Sequence, residues 1–183
     1  MCDTISTSGE KGMIWLYQNG EKVLYGVHGV CKIRGKETRR VDRKTVEYYV
    51  LEPIDSSGAS FYVPTGNPAA CAKMKPVLTK DQIDALLLCD GIRADCWIDD
   101  ENLRKNRYRE LIVSGDRFAL LSMIHTLVVR KKELLAAGRK FHLCDENFLR
   151  DAEKVISGEF AEVLGIGPNE VSEYILQKMQ MRI

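Results

Sequence analysis

The sequence predicts an α+β protein, with a small β-barrel or strongly bent sheet in its first part and a helical bundle after it. Before Pro76, short runs rich in β-branched and aromatic residues alternate with turns of Gly, Pro and Ser, which is typical of small β-folds. After Pro76, apolar residues recur at helical spacing, and Gly or Pro stands mainly at the joints. The 183 residues are enough to bury a core without disulfides.

The β-region is expected to span residues 13–75, after a disordered lead-in at residues 1–12 that lacks hydrophobic periodicity. The apolar run at 13–17 is predicted to open the sheet. Gly26 and Gly29 are predicted to form a tight turn, because glycine accepts positive φ without steric cost. The strands that follow are expected at residues 30–40, 45–51 and 59–63, with a charged hairpin tip at 36–44.

The helical region is expected at residues 79–183, with five helices. Thr79 and Gln82 form a capping-box pattern at the first helix. Asp99 or Asp100 can cap a second helix that runs to about Ser114. The remaining helices are predicted over residues 118–136, 144–164 and 168–179, and the last of them has Pro168 at its first position.

Composition excludes several classes of protein. The formal net charge is +1, so bulk charge gives no reason to expect nucleic-acid binding, and any DNA contact must come from a local patch. The six cysteines form no C-x-x-C pair and none has a His at zinc spacing. With no signal-peptide pattern and no apolar run of membrane-spanning length, we expect free thiols, no membrane association and a cytoplasmic, nucleoid-associated location.

The sequence shows no catalytic pattern, and we expect no enzyme activity, no cofactor and no metal. Gly26 and Gly29 lack the Lys-Ser/Thr of a phosphate-binding loop, and the three histidines are far apart. His28 is interpreted as a turn or packing residue. The acidic triplet at residues 99–101 is interpreted as helix capping rather than a metal site.

A basic helix beside a tryptophan is the strongest local signal for a binding surface. Arg104, Lys105, Arg107 and Arg109 lie within six positions, and Trp97 stands just before their helix. A basic helix with an adjacent aromatic wedge can hold phosphates and press on a base step. Solvated charged faces are common, however, so the pattern also fits an ordinary surface helix.

The order of several short motifs resembles a known family. Residues 20–30 read GEKVLYGVHGV, residues 37–39 read ETR, residues 48–51 read YYVL, and Val63-Pro64 ends the fourth strand. Ser114-Gly115-Asp116 and residues 151–161, DAEKVISGEFA, follow in the helical part. In this order over residues 13–165, they resemble CarD/CdnL-type bacterial transcription regulators, whose β-module also occurs in the transcription-repair coupling factor.

The resemblance implies a Tudor-like module that binds the β subunit of bacterial RNA polymerase and a helical domain that contacts promoter DNA. Such a protein modulates the stability of the open complex and hydrolyses nothing. The resemblance places Arg39 on the polymerase-binding surface, and it puts Tyr62 where the family often has a second Arg. Arg40 and Arg43 are candidates to replace that charge. It also implies that Trp97 enters the minor groove beside the basic helix.

The sequence fits two interpretations. In the first, the chain is a polymerase-bound regulator that touches DNA through Trp97, Arg104, Lys105, Arg107 and Arg109. In the second, it is a polymerase adaptor whose helical region binds a protein instead. We expect a monomer in either case.

Overall fold

A computed structural model describes residues 17–55, 58–93 and 95–180. Within these residues the fold is α+β, with five antiparallel strands and six α-helices. The strands are β1 (Lys22–Tyr25), β2 (Val30–Val41), β3 (Lys44–Pro53), β4 (Phe61–Pro64) and β5 (Met74–Pro76). The helices are α1 (Pro68–Cys71), α2 (Lys80–Leu87), α3 (Glu101–Ser114), α4 (Arg117–Ala136), α5 (Leu143–Leu164) and α6 (Val171–Gln180). The lead-in predicted at 1–12 and residues 13–16 of the predicted first strand lie outside the described residues.

The strands form an open sheet in the order β4-β3-β2-β1-β5, so the predicted barrel is not confirmed. Within the described chain β4 and β5 are the two edges and do not pair with each other. A bulge between Ile33 and Gly35 of β2 shifts the register of the β2–β3 hairpin, and a bulge of this kind bends and twists a strand. The sequence did not predict α1 or β5.

The long hairpin reaches its tip at Asp42 and Arg43, which have φ values of 48° and 64°. Two successive residues with positive φ make a turn whose twist matches that of the strands. The tip therefore lies inside the charged segment predicted at 36–44, but the two strands extend through most of that segment. The Gly26–Gly29 turn is confirmed, since these glycines have φ values of 49° and 69°.

Four of the five predicted helices begin where the sequence places them. Thr79 Oγ1 accepts from Gln82 N at 3.2 Å in the expected capping box, and Asp100 Oδ1 accepts from Leu103 N at 2.7 Å. These caps satisfy amide groups that the first turn of a helix leaves unpaired. The prediction for the last helix was wrong at its start, because α6 begins at Val171 and Pro168 lies in the preceding turn.

The sheet and the helices share hydrophobic contacts through β1. Val23 faces a cluster within the sheet that includes Ile33, Tyr49 and Leu51. The next residue, Leu24, faces the larger cluster formed by the helices. Alternation along a strand thus sends neighbouring side chains of β1 into two different cores.

An ion pair between two helices anchors the chain segment that connects the sheet to the helices. Arg117 of α4 contacts Glu159 of α5 at 2.7 and 2.9 Å, and Glu159 has no exposed surface. Arg117 also donates to the carbonyl of Pro76 at 2.6 Å, and the amide of Leu78 donates to Glu159 Oε1 at 3.0 Å. Residues 76–78 are therefore anchored to two helices. The division into domains at 75–79 stays a prediction.

The described part of the chain contains no helix with the length and apolar character needed to cross a membrane. Its five cysteines are free thiols, of which Cys31 is buried and Cys89 is exposed.

We expect Glu159→Gln to lower the free energy of unfolding by about 3–5 kcal/mol, because the change leaves the largely enclosed Arg117 side chain, which is 10% exposed, without its counter-charge. Urea denaturation followed by circular dichroism measures the loss. Glu110→Gln is the matched control, since Glu110 pairs with Arg107 on the exposed surface of α3 and its loss should leave the midpoint unchanged. Equal effects of the two substitutions would contradict a special role for the buried pair.

Candidate functional site

The outer face of the sheet brings Arg39 and Tyr62 together. Arg39 lies on β2 and Tyr62 on the edge strand β4, on either side of β3. The Arg39 guanidinium carbon lies 3.5 Å from the centre of the Tyr62 ring. Its Nη2 also donates to Glu37 at 3.3 and 3.4 Å. The long arginine side chain therefore crosses β3 and is held by an aromatic face and a carboxylate.

Half-buried side chains of β3 complete this surface, which we call the Arg39 face. It consists of Glu37, Arg39, Val46, Tyr48, Val50 and Tyr62. Tyr48 meets Tyr62 edge to face, with ring centres 6.4 Å apart. The alternate residues Tyr49 and Leu51 point into the sheet core. The Arg39 face thus offers a stacked guanidinium among aromatic and aliphatic groups, a composition typical of energetically important protein contacts.

Arg40 does not belong to the Arg39 face. Successive residues of a strand point to opposite sides of the sheet, so Arg40 lies on the side opposite Arg39. It is exposed and has no ion-pair partner among the described residues. The structure therefore separates Arg40 from Arg39 and Tyr62, and gives no support to the idea that its charge compensates for the tyrosine at position 62.

Arg104 is buried, and this corrects its place among the surface residues of the basic helix. Only 5% of Arg104 is exposed. Its Nε and Nη2 donate to the two carboxylate oxygens of Asp145 on α5 at 3.0 and 3.1 Å. Its Nη1 donates to the carbonyls of Ile98 and Asp99 at 2.7 and 3.2 Å. Because its hydrogen bonds go to Asp145 and to two backbone carbonyls, Arg104 stabilises the fold and does not face a phosphate.

Trp97 packs on Arg104. The guanidinium carbon of Arg104 lies 4.2 Å from the centre of the Trp97 ring, and that of Arg130 lies 5.4 Å away. The indole Nε1 donates to Asp99 Oδ1 at 3.0 Å, and the ring packs against the helical core. Trp97 is therefore a partly buried residue held on several sides, and insertion of its ring between bases would require these contacts to break.

Lys105, Arg107 and Arg109 remain on the outside of α3, each with a partner on the same helix. Lys105 pairs with Glu101, and Arg107 lies 3.5 Å from Glu110. Arg109 donates to the side chain of Asn106 at 3.2 Å. These short-range pairs on a helix are weak and exposed, so the three side chains are free to exchange partners.

The surface around Trp97 also carries acidic side chains. Asp95 binds Arg130 at 3.1 Å and Asp100 caps α3. Of the two predicted cap candidates, Asp99 and Asp100, it is Asp100 that caps α3. The sequence did not predict the pairing of Asp145 with Arg104 or the contact of Arg130 with Trp97. Arg104 and Asp145 are 41 positions apart, and no local spacing signals such a pair. Among the described residues, no group of three or more His, Cys, Asp or Glu side chains is placed to hold a metal ion.

Comparison with known families assigns the first part of the chain. Residues 17–78 match the family described as the CarD-like/TRCF RID domain. The match covers the five strands and α1, and it ends at the residues anchored by the Arg117–Glu159 pair. No curated protein matches the chain.

We expect Asp145→Asn to destabilise the fold by about 3 kcal/mol, because it leaves the Arg104 charge buried with weaker partners. The same substitution should loosen Trp97, and fluorescence anisotropy in a Trp15→Phe background detects this because Trp97 is then the one tryptophan. Asp151→Asn, on an exposed site of α5, is the control. An unchanged anisotropy in the Asp145 variant would show that Trp97 does not depend on Arg104.

Proposed function

Residues 17–78 form a CarD-like RNA polymerase-interacting domain, and from this premise we propose that the chain is a transcription regulator that binds the polymerase β subunit through the Arg39 face. The helices would then contact promoter DNA and modulate the stability of the open complex. The stacking of Arg39 on Tyr62 is the observation that carries the polymerase part of this proposal. The protein acts in this account by binding and not by catalysis.

The chemistry of the Arg39 face supports a protein partner. Arginine held against an aromatic ring loses less side-chain entropy on binding than a freely moving one. Tyr48 and Tyr62 add apolar area and hydroxyl groups, and aromatic residues and arginine are enriched among residues that dominate binding energy. An Arg39 face of this composition fits a partner surface that has an acidic or polar patch surrounded by apolar groups.

The exposed side of α3 is the proposed DNA-facing surface. Lys105, Arg107 and Arg109 can exchange their weak partners on the helix for phosphate oxygens. Arg104 is not part of this set, since Asp145 neutralises it. Free DNA should bind weakly, because few phosphates can be neutralised and acidic residues lie nearby. Polymerase would supply most of the affinity and hold α3 near the duplex.

A second candidate function is an adaptor whose helices bind a protein. One observation favours it: Trp97 is bordered by Asp95, Asp99 and Asp100, which repel phosphates. Two of these carboxylates are committed to Arg130 and to the Trp97 indole. The half-buried ring with charges of both signs around it suits a polar protein surface as well as DNA.

Arg39→Glu in the full chain should weaken the complex with RNA polymerase by about tenfold or more, as expected for a central interface residue. A smaller loss is expected for Tyr62→Ala, which removes the stacking partner. Arg40→Glu should have little effect because Arg40 lies on the other side of the sheet.

Biolayer interferometry on purified polymerase measures the three affinities, and Lys132→Glu on α4 is the remote control. Equal losses for Arg39→Glu and Arg40→Glu would reject the Arg39 face. The full chain is used because residues 17–78 alone would expose Leu24.

Salt dependence separates the two candidate functions. If Lys105, Arg107 and Arg109 neutralise phosphates, affinity for a polymerase–promoter complex falls steeply with salt, and replacing all three with Gln reduces the logarithmic slope by about 2–3. Polymerase without DNA is the control and should show no such change. An unchanged slope would favour the adaptor. A Trp97→Ala variant that binds the promoter complex as tightly as the parent would reject only the idea that the Trp97 ring enters the minor groove.

A further inference from the structure

A groove with a volume of about 610 Å³ runs between the last turns of α4 and the first turns of α5. We call it the α4–α5 groove. It is defined by Lys131, Lys132 and Leu135 of α4 and by Leu143, Glu146 and Arg150 of α5. These residues are separate from the Arg39 face and from the three basic side chains on the outside of α3.

Two leucines of the α4–α5 groove are exposed to solvent. Leu135 is 58% exposed and Leu143 is 71% exposed, and they stand on the two helices that form the walls. A single exposed leucine is common on a protein surface. Apolar side chains that cluster at one place and are surrounded by polar ones are typical of a surface that another protein covers.

The same part of the chain carries positive charge that is not neutralised. Residues 130–150 contain six basic and three acidic side chains. Each acid already has a cationic partner, in the pairs Glu133–Arg130, Glu146–Lys131 and Asp145–Arg104. Among the described residues, four cations therefore have no carboxylate partner: Lys132 and Arg150 in the groove, and Arg139 and Lys140 in the connection between the helices.

The α4–α5 groove has the length to hold a helix. The pocket beside His125 is also lined by Val128 and Glu153, so the two cavities follow each other along the seam between α4 and α5. Their lining residues on α4 run from Leu121 to Leu135, about 21 Å at the rise of an α-helix. An amphipathic helix that lays its apolar side into such a groove is a recurring form of protein recognition.

Double-stranded DNA fits the α4–α5 groove less well than a protein helix does. Phosphates can pair with Lys132 and Arg150, but Glu146 and Glu153 also line the groove and repel them. The phosphate backbone has no apolar side chain to cover the two exposed leucines. A helix with an apolar stripe between carboxylates meets both requirements, because its apolar side and its charges complement those of the groove.

We propose that the α4–α5 groove binds an acidic amphipathic helix of a partner protein, whose apolar stripe covers Leu135 and Leu143 and whose carboxylates pair with Lys132 and Arg150. The partner differs from the polymerase β subunit, which the proposed function places at the Arg39 face. The inference therefore does not rest on the polymerase part or the DNA part of that function. Lys132→Glu should weaken this contact and leave the affinity for polymerase unchanged.

The test uses the full chain and a synthetic helical peptide of about 14 residues, which is four turns, with leucines along one side and glutamates on both flanks. One control peptide has the same composition with the leucines scattered around the helix, and a second has lysine in place of glutamate. Fluorescence anisotropy measures the affinities, and amide NMR titration locates the site. We expect the acidic peptide to bind with a Kd below about 1 mM and to shift amides of α4 and α5. Both controls should bind at least about fivefold more weakly.

Substitutions at exposed positions assign the contacts. Leu135→Ser should weaken the acidic peptide about tenfold or more, as at a central apolar anchor. Leu88→Ser, at another exposed leucine at the end of α2, should have no effect. Lys132→Glu combined with Arg150→Glu should weaken it about fivefold or more and make the chain prefer the lysine peptide. The exposed Lys73→Glu is the matched charge control. Tm should be unchanged in all these variants, because the replaced side chains do not lie in the core.

Absence of binding by the acidic peptide, or equal binding by the peptide with scattered leucines, would overturn the proposal. A DNA duplex of about 20 base pairs, two helical turns, is titrated in parallel. If it shifts the same amides, and Lys132→Glu abolishes this while Leu135→Ser does not, the groove binds phosphates and the proposal is wrong. Arg39→Glu should leave the peptide affinity unchanged, so this inference and the polymerase proposal can fail separately.

Discussion

The buried contact between Arg117 and Glu159 is the interaction on which the arrangement of the molecule depends. It joins α4 to α5 and fixes the backbone at Pro76 and Leu78, where the sheet passes into the helices. Such a pair gains little net stability over apolar packing, but the loss of one partner is costly because the other charge stays buried. Its main effect is therefore to specify one arrangement of the junction.

The shared core reinforces that arrangement. Leu24 of β1 packs among the helices, and a Cβ atom on Gly115 would lie 3.4 Å from Leu24 Cδ2. The corner between α3 and α4 thus rests directly on β1. Under the proposed function, a partner bound at the Arg39 face and a molecule bound at α3 would therefore contact one continuously packed body.

Local rules predicted most of the helices and strands. Thr79, Asp100 and Asp116 cap helices through oxygen atoms that accept from amides three residues later, so their effect is visible in the sequence. The start of α6 was predicted wrongly from Pro168. Proline has no backbone N–H, so it is accepted both at the first position of a helix and in the turn before a helix. The short strand β5 was not predicted, because three residues are too few to show the alternation of apolar and polar side chains that indicates a strand. Its formation depends on pairing with β1.

The sequence by itself determined the fold class, the helix boundaries set by capping and the resemblance to a polymerase-interacting domain, because these depend on neighbouring residues and on the order of motifs. Tertiary structure alone decided which charged residues face solvent. Arg104 and Arg107 look equivalent in the sequence, yet Asp145 lies 41 positions from Arg104 and draws it into the interior. Residues so far apart in the chain form no recognisable spacing pattern in the sequence. A charged side chain is buried only where the fold places a partner beside it.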